Sequence, residues 1–377
     1  MATFGRFAFR RISAPSRQVL RQLSNKSNGS QWTQYFRKSR LPWLGPIGAG
    51  VTLGFLGLFN TEEVLTDKEK IQKIVARGKV ACQNQQFDQA REAFHEALRT
   101  SSDFKDEKKI TENEHLNHRV YIYDQIANML LDTGDFENAE KVFKDTMKLA
   151  VALGMALNDN AMIEMSLKLA TIYLYTGRFN LGVEGVRYCI DEQEKKLQDP
   201  VVEKKDDINN DSKQVDTKAL KEENTNTRVL LGKAYRHHAN FYMQQRHFKE
   251  AKDIMVKALE MSRSALGTDD DNSFVIMNDI ATCDIMLKDF KGAEMLLKEG
   301  IAKSGKAKSL IQSAFYSNLG ALYIRTQKYE EAEHACRSGL TIAKRHNDQT
   351  FIMPCKACLV RLAQIHKSIL KKEEEED

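Results

Sequence analysis

Between Phe315 and Ala343 the chain reads FYSNLGALYIRTQKYEEAEHACRSGLTIA, and the spacing of seven residues in this stretch restricts the fold sharply. Leu319, Gly320 and Tyr323 fall on one face of a helix, and a short polar turn follows. Tyr329 then opens a second helix, with Ala332, Cys336 and Gly339 three, seven and ten places further on. Small residues at a helix crossing let two backbones approach closely, because the interaxial distance is set by the side chains at the contact. A helix pair built this way buries only part of its apolar surface and needs a neighbouring pair to cover the rest.

The same cadence occurs five more times. Gly78 leads to Phe87, Ala90, Phe94 and Ala97; Ala127, Leu130 and Gly134 lead to Phe136, Ala139 and Phe143. Leu169, Ala170, Tyr173 and Gly177 lead to Phe179, Gly182 and Val186. Ala239 and Tyr242 lead to Phe248, Ala251, Met255 and Ala258; Ala281 leads to Phe290, Ala293, Leu297 and Gly300. This is the tetratricopeptide cadence. The packing aromatics Phe87, Phe136, Phe179, Phe248, Phe290 and Tyr329 are 49, 43, 69, 42 and 39 residues apart. All exceed the usual repeat of about 34 residues, so helices or connections must be longer. Proline is scarce, at 5 residues, and strand-like alternation is absent. The expected fold is all-α: a right-handed α-solenoid of about six helix-turn-helix repeats. A single transmembrane helix precedes it, and a C-terminal helix caps it, with Leu359, Leu362, Ile365 and Ile369 on the covering face.

Charge is unevenly placed. Residues 1–61 hold nine Lys or Arg and no acid, so of the net +5 the remainder of the chain carries about −4. The basicity belongs to a leader and not to a folded face, which argues against nucleic acid as a partner. In residues 1–40, Phe4, Phe7, Leu20 and Leu23 alternate with Arg6, Arg10, Arg17 and Arg21, the composition of a mitochondrial transit peptide. A basic disordered tail is the alternative. Leu41 to Asn60 is a run of 20 uncharged residues, about 30 Å long as a helix and enough to span a bilayer. Arg37, Lys38 and Arg40 precede it, Trp43 stands at its edge, and Gly50 and Gly54 form a GxxxG. It reads as an inner-membrane anchor contacting lipid, with the repeats facing the intermembrane space. An extended presequence that is removed is the alternative.

The layout that follows is transit peptide and basic segment (1–40), anchor (41–60), repeats one to three (65–198), a charged insertion (199–227), repeats four to six (228–348), and capping helix with acidic tail (349–377). The insertion is rich in mixed charge and poor in large apolar residues, which predicts disorder. It reads as a tolerated insertion or a regulatory segment. In residues 267–274, GTDDDNSF, Asp and Asn stand where they would cap the next helix.

No catalytic or metal-binding constellation is present. His115 and His118 share a helix face near Glu114 without a third ligand, and nucleophile elbow, phosphate loop and dinucleotide fingerprint are all missing. The reading is a non-enzyme without catalytic residues, cofactors or metal. Of the cysteines, four read as small core residues; Cys355 and Cys358 form the sole CxxC, a plain helical pair or a facultative disulfide. Binding remains. First helices line the concave face of such arrays, placing Tyr121, Asp124 and Asn128, then Lys233, Arg236 and Asn240, then Asn278 and Thr282, then Ser317 in a candidate groove. Asn pairs with both groups of an extended peptide, and Lys233 with Arg236 could hold a carboxylate. Asp279 stands within this set and would repel one. A merely solvated face is the alternative.

Several stretches carry a closer resemblance: VYIYDQIANMLLDTGDFENAEKVFKDTM (120–147), DNAMIEMSLKLATIY (159–173), NTRVLLGKAY (226–235) and SNLGALY (317–323). Together with the leader and the Gly-rich span, they resemble a mitochondrial family of the tetratricopeptide superfamily. The repeats are also similar to the long kinesin light-chain type. The resemblance implies an inner-membrane factor that binds respiratory complex III (ubiquinol–cytochrome c reductase). It also implies support for complex assembly and for clearance of N-terminal fragments of the Rieske iron–sulfur subunit. The alternative is an adaptor or import or chaperone receptor holding peptides in its groove.

Overall fold

A computed structural model describes residues 66–198, 210–346 and 349–376. The expected transit peptide and membrane anchor lie outside these residues. Among the described residues there are thirteen helices and no strand, and no helix is long and apolar enough to cross a membrane.

The chain divides into two compact units, residues 1–189 and 190–377. The first contains α1 (Asp67–Gln83), α2 (Phe87–Asp106), α3 (Glu112–Asp132), α4 (Phe136–Ala152), α5 (Asn160–Tyr175) and most of α6 (Phe179–Gln198). The second takes the end of α6 and then α7 (Asn210–Gln244), α8 (Phe248–Leu266), α9 (Asp271–Met286), α10 (Phe290–Lys306), α11 (Gln312–Arg325), α12 (Tyr329–Arg345) and α13 (Gln349–Glu376).

All six anchor aromatics are the first residue of the second helix of a hairpin. The side chains that fill the hairpins are those three, seven and ten places later. Ala90, Ala139, Gly182, Ala251, Ala293 and Ala332 are buried at the first place, and Phe94, Phe143, Val186, Met255, Leu297 and Cys336 at the second. Ala97, Thr146, Cys189, Ala258, Gly300 and Gly339 are buried at the third. Full burial of a Phe such as Phe143 contributes about 1.5–3 kcal/mol. The anchors themselves sit at the hairpin ends, partly solvated, and Phe179 is 43 % exposed.

The turn inside every hairpin is the same three-residue device. Its middle residue adopts the left-handed conformation: Gln85, Gly134, Gly177, Arg246, Lys288 and Gln327, with φ between 59° and 78°. The third turn residue donates its N–H back to the helix, as in His247 to Tyr242 O (2.9 Å) and Lys328 to Tyr323 O (2.8 Å). This satisfies carbonyls that a helix end would leave without partners. The cap expected in residues 267–274 forms, and two further starts are capped. Asp270 accepts from Asn272 N (2.8 Å), and Thr66 with Glu69 and Thr111 with Glu114 form capping boxes.

Three expectations are corrected. Helix α7 begins at Asn210, so much of the segment expected to be a disordered insertion (199–227) is helical. Its Lys, Glu, Gln and Ala residues are strong helix formers, and propagation from an already packed helix avoids the cost of nucleation. Thr227 is buried, and Lys196 of α6 pairs with Glu223 at 2.7 Å. Residues 199–209 lie outside the described residues. In the capping helix the buried side chains are Phe351, Ile352, Cys355, Cys358 and Leu362, so the covering face starts two turns earlier than expected and Ile369 is exposed. Finally, Cys336 is not a free core thiol: it forms a disulfide with Cys358, across α12 and α13 instead of within the CxxC.

Candidate interaction surface

In the second unit, α7, α9 and α11 are first helices of their hairpins, and their polar side chains join across the helix boundaries. Arg236 Nε on α7 donates to Asp279 Oδ2 on α9 at 2.9 Å. Asn318 Nδ2 on α11 donates to Asn278 Oδ1 (2.9 Å) and to Thr282 Oγ1 (3.1 Å), both on α9. Thr282 passes its own proton to Asn278 O at 3.0 Å. Lys233 and Asn240 lie one turn to either side of Arg236 and are half-buried, as is Ser317. Of the predicted residues, Arg236 and Asn278 take part in a polar strip that crosses from α7 to α9 and α11, and Lys233 and Asn240 lie on α7 near Arg236.

Two features of that strip were not foreseen. Asp279 is a partner as well as a bar to carboxylates, since it already occupies the Arg236 guanidinium. Asn318, absent from the predicted set, is the residue that ties α11 to α9. The position next to Ser317 in the same turn was the available signal.

The first unit holds a different arrangement on α1, α3 and α5. Asn128 Nδ2 donates to Asp124 Oδ2 (3.1 Å), and Gln125 Nε2 does so at 3.0 Å. Lys168 on α5 reaches Glu164 at 3.1 Å and Asp124 at 3.6 Å. Asp124 and Lys168 are each only 5 % exposed. Burial works against the Lys168 charge, but the carboxylates of Asp124 and Glu164 outweigh it and hold Lys168 above the usual lysine range. Tyr121 accepts from Lys79 Nζ at 3.5 Å. The predicted Asn128 thus braces a buried charge network and does not project alone. Sequence reasoning missed Lys168 although it interrupts the apolar run MSLKLATIY, where a lone Lys needs a buried partner.

His115 and His118 also have a structural setting. Ser101 Oγ lies 3.0 Å from His115 Nδ1 and 3.1 Å from His118 Nδ1, and His115 Nδ1 is 3.1 Å from Ser101 O. Burial pushes His118 down to about 4 and lowers His115 as well, so both are neutral at physiological pH. Among the described residues no group of three or more His, Cys, Asp or Glu side chains is placed to hold a metal ion. Residues of α11 and α12 form an open cavity of about 380 Å³ lined by Tyr316, Leu319, Tyr323, Glu330, Glu331 and His334.

The tetratricopeptide repeat family matches residues 230–304 and 314–349. These two matches lie in the second unit, over the helix pairs α7 to α12. Over 295 residues it is 28% identical to tetratricopeptide repeat protein 19, mitochondrial, of Homo sapiens, covering 78% of this chain and 72% of the relative. It is 25% identical over 329 residues to the Drosophila melanogaster homolog of that protein, also named mitochondrial, covering 84% and 81%. Among solved structures, the apo form of the quorum sensor NprR from B. thuringiensis superposes with a TM-score of 0.54. Its identity is 15%, over 82% of this chain and 74% of that one, a likeness of fold alone. The repeat matches and the relatives support a repeat scaffold for protein interaction.

Proposed function

We propose that this chain is a mitochondrial, inner-membrane-anchored scaffold that binds respiratory complex III and supports its assembly and maintenance, including clearance of N-terminal Rieske fragments. The observation that carries the reading is the similarity to relatives named mitochondrial across nearly four fifths of the chain. The acid-free leader and the uncharged run Leu41 to Asn60 supply the import signal and the single-pass anchor. The Cys336–Cys358 bridge supports a repeat domain on the intermembrane-space side, because disulfides persist where thiols are not kept reduced. Fragment removal falls to a separate protease that the scaffold helps to act.

Native electrophoresis of mitochondria lacking the protein tests this reading. Complex III activity should fall and Rieske fragments should accumulate; unchanged activity without fragments would overturn it. Protease added to intact mitochondria should spare the repeats until the outer membrane is ruptured, and digestion without rupture would refute the placement.

A second reading is favoured by the polar strip on α7, α9 and α11: a peptide-holding adaptor or receptor. Its Asn278 and Asn318 amides suit an extended backbone. In that case Asn318→Ala should abolish peptide capture while leaving complex III levels unchanged.

A further inference from the structure

Three of the six cysteines meet at the C-terminal end of the second unit. Cys336 on α12 and Cys358 on α13 are bonded, with Cα atoms 6.2 Å apart. Cys355, one turn earlier on α13, is a buried free thiol 3.7 Å from Ser313 Oγ. Gly320 on α11 makes the space for the bridge. A Cβ there would overlap Cys336 Sγ and stand 3.0 Å from Cys358 Sγ.

The bridge lies midway along the face by which α13 docks. That face consists of Phe351, Ile352, Cys355, Cys358 and Leu362, two of them small. Beyond Leu362, Ile365 is half-buried and His366 makes an edge contact with the Tyr329 ring at 6.2 Å. The opposite side of α13 exposes Met353 and Val360, at 59 % and 57 %. A last helix covered on one side, with modest apolar burial, belongs to the low-stability end of a fold, so a covalent tie at its centre governs whether it stays down.

We propose that the Cys336–Cys358 bridge is a redox-operated latch. Closed, it holds α13 on α11 and α12; opened by a dithiol reductant, it frees α13 to detach from them. A thiolate of the reductant attacks a bridge sulfur, the S–S bond breaks, and a mixed disulfide forms. The second reductant thiol closes on that mixed disulfide. The reductant leaves as a disulfide, and Cys336 and Cys358 remain as two thiols carrying the two electrons transferred. Cys358 is the less covered of the pair and is the sulfur first reached as α13 frays. Cys355 takes no part: burial raises its thiol and keeps it protonated, and a protonated thiol is not a nucleophile.

The test uses the full-length chain purified without reductant. Under denaturing alkylation four thiols should react before dithiothreitol and six after it, matching one bridge and four free cysteines. In the folded chain, dithiothreitol should speed amide exchange across residues 349–370 at least tenfold and leave α1 to α4 unchanged. A Cys336→Ala, Cys358→Ala double variant should exchange like the reduced chain without reductant, and Cys355→Ser should behave like the oxidised one. The proposal is overturned if six thiols react before reduction, or if reduction of the unmodified chain leaves exchange at 349–370 unchanged.

Discussion

Gly300 and Phe315 show how a single side chain sets a helix crossing. Phe315 is fully buried on α11, and its ring fills the place where a Cβ on Gly300 of α10 would stand. Gly300→Ala is therefore expected to destabilise the second unit by about 1–3 kcal/mol through overpacking, read as a lower urea midpoint. Asp124 illustrates a different dependence. Asp124→Ala leaves the buried Lys168 with only the more exposed Glu164 as partner, at an expected cost on the order of 3 kcal/mol. Arg236→Ala should cost under about 1 kcal/mol, because Arg236 and Asp279 are both partly solvated and screened. Such contrasts between ion pairs are invisible in composition, since Asp124 meets Lys168 and Arg236 meets Asp279 only after more than forty intervening residues are folded.

The repeated hairpin turn is the element on which the array depends. Six turns share one left-handed middle residue, yet only Gly134 and Gly177 are glycines. A left-handed residue with a Cβ costs roughly 1–2 kcal/mol, partly offset by the larger unfolded-state entropy of glycine. Lys288→Gly and Gln327→Gly should each stabilise by about 0.5–1 kcal/mol, and Gly134→Ala should destabilise by a similar amount, all measurable by chemical denaturation. The hairpins were readable because a small residue, a polar turn and an aromatic recur at set distances. The start of α7 was not, because charged helix formers score as disordered when isolated and become helical once attached to a packed segment.

Stability should fall toward acid pH in both units, because burial lowers His118 in the first and His237 in the second. The Ser101, His115 and His118 cluster is internal to the first. Unfolded, these histidines bind protons near pH 6.5; folded, His118 does so only near pH 4. The unfolded chain therefore holds more protons between those values, and stability of the first unit falls as pH drops through that window. Amide exchange in α3 should accelerate from pH 6.5 to pH 4, after correction for intrinsic rates. His118→Gln should flatten that acceleration; if α3 responds the same in the variant, the buried pair is not the sensor. The second unit carries the proposed redox latch on α13 in addition to its own buried histidine.

Periodicity along the chain was enough to give the helical class, the six hairpins, the identity of the small crossing residues and the cap within residues 267–274. These depend on neighbours within about ten residues, where helix geometry fixes which side chains share a face. The partner of Cys336, the early covering face of α13, the Asp279 lock on Arg236 and the Lys168 network depended on rotation and depth of helices that pack from distant parts of the chain. No local spacing encodes which face of α13 meets α12, and that rotation selected Cys358 over Cys355 as the bridge partner.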